Sequence, residues 1–95
     1  MRTTTREDCP ARPAPPGTEY HKIVEGAQVK GSGFAGEQIY TTPNVVVIQR
    51  LLHERISAYY SRVTNMTDGL PVREWLAGQP YSVQFEFGLA LQLFF

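Results

Sequence analysis

The chain of 95 residues holds a single cysteine, Cys9. That excludes an internal disulfide framework and any cysteine-rich zinc site. Charge of one sign is missing too: nine Lys and Arg balance nine Asp and Glu, for a formal net charge of zero. Such a chain has no global field to draw in nucleic acid or an anionic membrane surface, so neither is expected as a partner. No apolar run approaches the ~18 to 20 residues of a membrane helix. The opening stretch MRTTTREDCPARPAPPG has no apolar segment and carries Glu7 and Asp8, so it does not read as a signal or transit peptide. The compartment expected is the cytoplasm, or the virion if the source is viral. The sequon-like Asn65-Met66-Thr67 is then without a route to glycosylation.

Enough apolar material is present to fold. Hydrophobic residues make up 42% of the chain and aromatic ones 12%, which suits one small globular domain rather than a disordered segment. Residues 1–17 read as an extended, proline-rich arm, because Pro10, Pro13, Pro15 and Pro16 fix φ and remove backbone donors. Residues 18–95 read as the domain. Glycines separating EYHKIV, AQVK and EQIYTT predict a short β-meander over 18–41. Residues 43–64 predict one long amphipathic helix, opened by Pro43, with Val45, Ile48, Leu52, Ile56, Tyr59 and Val63 stepping by three and four. A short helix is predicted from Pro71 to about Ala77, stopped by Gly78 and Pro80.

Chemistry is thinly marked. GSGFAG, Gly31 to Gly36, matches the dinucleotide-binding G-x-G-x-x-G in letters, but EQIYTTP follows where a phosphate-facing helix would have to start. A glycine-rich hairpin with Phe34 at its tip resembles the phosphate-covering loop of protein kinases, although the chain is too short for that fold and lacks the accompanying motifs. A partner-contacting loop is the favoured reading, and no cofactor is expected. HERIS, His53 to Ser57, is half of a zinc-protease motif with Ser57 where the second histidine must stand. A metal shared by His21 and His53 would need a carboxylate such as Glu25 or Glu54. Ser57 and His53 share a helix face, yet no acid is placed by sequence to orient that histidine. No catalytic or metal-binding residue is assigned on these grounds, and a non-enzymatic role is favoured.

The closing stretch YSVQFEFGLALQLFF places a large apolar residue at every odd position from Tyr81 to Phe95. Alternation of this kind predicts a β-strand, and it resembles the last strand of bacterial outer-membrane barrels, although a barrel needs many such strands. Fifteen residues at 3.3 Å would span roughly 46 Å, against a domain width of roughly 32 Å. The strand must bend at Gly88 or leave the domain. The fold expected is therefore α+β: a meander, a long helix, a short helix and a long C-terminal strand. The function expected is that of an assembly subunit, of the virion neck, tail or capsid-cement kind, or of a similar ring or shell. It would meet copies of itself or other subunits through Pro10, Pro13, Pro15, Pro16, Phe34, Leu91, Leu93, Phe94 and Phe95. A small module or inhibitor docking on another protein, and an oligomeric enzyme or ligand-binding protein with a pocket between subunits, are the alternatives.

Overall fold

The computed structural model describes residues 12–95. The mixed α/β character expected from the sequence is present, but its parts are differently placed. One antiparallel pair, β1 (Thr18–Lys22) and β2 (Val45–Gln49), forms the sheet, in a register running from Thr18 opposite Gln49 to Lys22 opposite Val45. Between them come two single-turn helices, α1 (Gln28–Gly31) and α2 (Gly36–Ile39), and a 3-10 turn at Thr42–Asn44. Three helices follow: α3 (Arg50–Tyr60), α4 (Val72–Leu76) and α5 (Tyr81–Phe94).

Three expectations are corrected. The meander over 18–41 keeps only its first strand: Gly31 ends one helical turn and Gly36 opens the next, where hairpins were expected. The long helix over 43–64 is split: Thr42–Asn44 is a 3-10 turn, Val45–Gln49 is a strand and only Arg50–Tyr60 is α-helical. Val45, Val46, Val47 and Ile48 are four β-branched residues in a row, stiff at χ1, and they gain more from pairing with β1 than from a helix. The long C-terminal strand is absent, and residues 81–94 are helical throughout. Apolar residues at 81, 85, 89 and 93 are also four apart, so alternation and helical spacing coincide in this stretch. Val83 is its one β-branched member, and Pro80 stands at the N-cap, next to where a missing N–H costs nothing. Fourteen helical residues occupy about 21 Å, which fits inside the domain where a strand did not. The short helix after Pro71 is found at Val72–Leu76.

Gly88 does not bend a strand; it admits a crossing. A Cβ there would overlap the carbonyl oxygen of Ile23, just past β1, so only glycine lets α5 lie against that backbone. The stripe of α5 that faces inward is accordingly Gln84, Gly88 and Leu91, which takes in only one of the odd positions. The core gathers Ile56 and Tyr60 of α3, Val72 and Leu76 of α4, and Leu91, with Ile48, Leu52, Tyr59, Trp75 and Phe87 packed around them.

Buried amides tie the remaining segments together. Asn44 is fully buried, and its Oδ1 accepts from the Val24 N–H at 2.8 Å while its Nδ2 donates to the carbonyls of Val24 and Ile39. Gln28, Ser32 and Gln84 form a second knot. Ser32 Oγ donates to Gln28 Oε1 at 2.6 Å and accepts from Gln84 Nε2 and from the Gly78 N–H. The loop read as a possible phosphate cradle thus spends its hydroxyl on internal bonds and serves as a structural clasp.

Candidate functional site

A strand sends alternate residues to one face, and β1 presents Glu19 and His21 together. Helix α3 starts directly after β2, so its first turns lie beside β1. That brings His53, the fourth residue of α3, against both. His53 Nδ1 lies 2.6 Å from Glu19 Oε1, and Arg50 Nε donates to Glu19 Oε2 at 3.1 Å. A carboxylate only accepts, so the His53 Nδ1 facing it is the donor, which fixes the orientation of the ring. These hydrogen bonds hold the Glu19 carboxyl below its ordinary pKa, with that from His53 the largest cause. The His21 ring meets the His53 ring edge-on, with centroids 5.3 Å apart at 73°.

His21 is 4% exposed, and its Nε2 is buried without a hydrogen-bond partner among the described residues. Burial, then the charges of His53 and Lys22, push its pKa down from 6.5 to about 4, so the ring is neutral at pH 7. The two histidines line an open cleft of about 390 Å³ with Tyr20, Lys22 and Ser57. Its far wall is Glu25, Gly26, Ala27 and Arg73. There Arg73 clamps Glu25 in a two-pronged pair, Nε to Oε1 at 2.6 Å and Nη2 to Oε2 at 2.7 Å, which raises the Arg73 pKa. Lys22 Nζ stands over the Tyr40 ring, 4.9 Å from its centroid. Chemically the cleft offers a histidine oriented by a carboxylate, a neutral buried imidazole, a hydroxyl and an ammonium. Among the described residues no hydrogen bond joins Ser57 to His53.

His21 and His53 do meet, but not as the metal pair that Glu25 or Glu54 would complete; the carboxylate bonded to His53 is Glu19, which also orients that histidine. The period-two spacing of Glu19 and His21 is the one signal in the sequence, and a helical reading of residues 45–49 hides it, because it removes the strand that carries His53 to β1. No group of three or more His, Cys, Asp or Glu side chains among the described residues could hold a metal ion.

The residues expected to meet other subunits are dispersed. Pro10 lies outside the described residues. Pro13, Pro15 and Pro16 are exposed, and this arm is tied back where Tyr20 donates to the Arg12 carbonyl and Thr18 to that of Pro15. Phe34 packs edge-on against Tyr81, centroids 5.4 Å apart, inside the same chain. Leu91 is turned into the core. Leu93 and Phe94 are 84% and 80% exposed, and Phe94 and Phe95 line a groove of about 300 Å³ with Tyr59, Ala58, Arg55 and Arg62. No family model, curated protein or solved structure matches the chain. No helix among the described residues is long and apolar enough to cross a membrane.

Proposed function

We propose that this chain is a non-catalytic assembly subunit that joins copies of itself into a larger particle, of ring or shell type, through the outer face of α5. The observation that carries this reading is the exposure of Leu93 and Phe94 at the end of a helix with only one charged residue, Glu86, in fourteen. A helix that is apolar all round belongs in an interior, and here only one stripe of it is covered. Leu89 and Val83 extend the uncovered side. The groove beside it supplies both apolar and charged contacts. Arg55 and Arg62 form no ion pair with the described residues, and Glu54 and Glu86 are exposed carboxylates that a second copy would bring toward them. A formal net charge of zero leaves copies without mutual repulsion to overcome.

Native mass spectrometry of the wild-type chain and of the double variant Leu93→Glu, Phe94→Glu tests this. The wild type is expected as an oligomer and the variant as a monomer with unchanged helix content. A wild type that stays monomeric at tens of micromolar (about −6 kcal/mol of association by the usual conversion) would overturn the reading.

A further inference from the structure

We propose that the two-histidine cleft is a binding site for a small oxyanion, the phosphate or carboxylate group of a ligand, held by Lys22, His21, His53 and Ser57. This reading is independent of assembly through α5. Two observations carry it. The first is the cavity itself, roomy enough at about 390 Å³ for a small anion with its attached group and open to solvent. The second is His21, a buried side chain lining that cavity whose Nε2 has no partner. A buried polar nitrogen left unpaired carries an uncompensated desolvation cost, and an oxygen that reached it would relieve that cost.

Charge selects the class of ligand. Both carboxylates at the cleft are engaged: Glu25 by Arg73, and Glu19 by Arg50 and His53. Lys22 alone faces the cavity as a cation without a carboxylate partner among the described residues, resting only on the Tyr40 ring. Against two carboxylates stand three fixed cations, Lys22, Arg50 and Arg73, so an entering cation meets an excess of like charge and an anion meets an excess of opposite charge. His53 is pre-oriented by Glu19, and its Nε2–H, when present, donates outward. Ser57, one turn further along α3, adds a hydroxyl donor. Burial is the main reason that His21 is neutral and the charges of His53 and Lys22 add to it; a bound anion offsets that second part, so binding and protonation of His21 are coupled.

The chain has two histidines and both are at the site, which makes the imidazole nitrogens a specific probe. Full-length chain labelled with ¹⁵N is titrated with inorganic phosphate, and separately with acetate, at pH 7 against sodium chloride of equal ionic strength. The expected result is saturable shifts at both histidines with at least one anion and not with chloride. Which of the two binds distinguishes a phosphate from a carboxylate ligand. The His21 titration should also move upward in the bound state. Lys22→Gln should weaken binding about tenfold, and Ser57→Ala severalfold, while Lys30→Gln, outside the cleft, should leave it unchanged. Should Lys22→Gln unfold the chain, Ser57→Ala and the wild-type titration still decide. Absence of saturable shifts with either anion up to about 50 mM, or equal binding by wild type, Lys22→Gln and Ser57→Ala, would overturn the proposal.

Discussion

Two buried positions hold this fold: Asn44 through the hydrogen bonds of its amide and Gly88 through having no side chain at a close crossing. Asn44 satisfies one backbone N–H and two carbonyls from a fully buried site. Asn44→Ala strands those groups, and a loss of about 2 to 4 kcal/mol is expected in urea unfolding. A loss below about 0.5 kcal/mol would show that water replaces the amide. Gly88→Ala ordinarily gains about 1 kcal/mol of helix propensity, but here the new methyl meets the Ile23 backbone, so net destabilisation is expected. A stabilised variant would contradict the close crossing. His21 sets a pH dependence. Its folded pKa lies below its unfolded value, so the unfolded chain takes up a proton first as pH falls. Its contribution is complete above pH 6.5 and is lost progressively between 6.5 and about 4. Glu19, also depressed, adds a further loss on the acid side of 4.5. His21→Phe should flatten stability between pH 6.5 and 4.5 relative to wild type; an unchanged slope there would place the titration elsewhere.

Among the elements, α3 and α5 make the sharpest demands. One side of α3 carries Ile56 into the core while Leu51, five residues earlier, is 58% exposed. Ile56→Ala should cost about 2 to 5 kcal/mol and Leu51→Ala less than about 0.5, measured by thermal or chemical unfolding. Comparable losses at both would mean that the helix is rotated from the arrangement described. For α5, the question is whether residues 81–94 are helical in the isolated chain. Ala90→Pro removes an internal helix hydrogen bond and should cost about 3 kcal/mol or more, with a matching loss of helical circular dichroism. A strand would lose sheet signal instead. The aromatic contacts of α5, Phe87 with Tyr59, Tyr60 and Trp75, explain why this helix docks at all.

The described residues form a thin slab, with extents of 43 × 30 × 17 Å. A two-stranded sheet covered by a few helices has room for one core layer, and a hydrophobic helix at its edge is covered on one side only. That is the physical reason to look for association. If the proposed association through α5 holds, the double variant Leu93→Glu, Phe94→Glu should abolish it while leaving the melting transition of the chain cooperative. Anion binding at the histidine cleft should survive the same change, since no residue of α5 lines that cleft. Loss of both properties together would mean that the cleft is completed by a neighbouring copy.

By itself the sequence determined composition-level and local facts. A lone cysteine excluded disulfide and cysteine-rich metal frameworks, and Pro71 with Gly78 placed α4 to within a residue, because caps and breakers act over one turn. Of the fold class only the mixed α/β character matched, since two of the regions expected as strand are helical and one expected as helix is strand. Tertiary structure decided the rest. Residues 45–49 satisfy a helical spacing and a β-branched preference at once, and only the presence of β1 as a partner selects the strand. Residues 81–94 satisfy both periods at once, and only the close passage of Ile23 over Gly88 and the aromatic cluster beneath Phe87 select a helix and fix its inner face. The histidine cleft was illegible for a related reason. Glu19, His21 and His53 are far apart along the chain, and what joins them is the register of β1 on β2, a long-range pairing that no local pattern encodes.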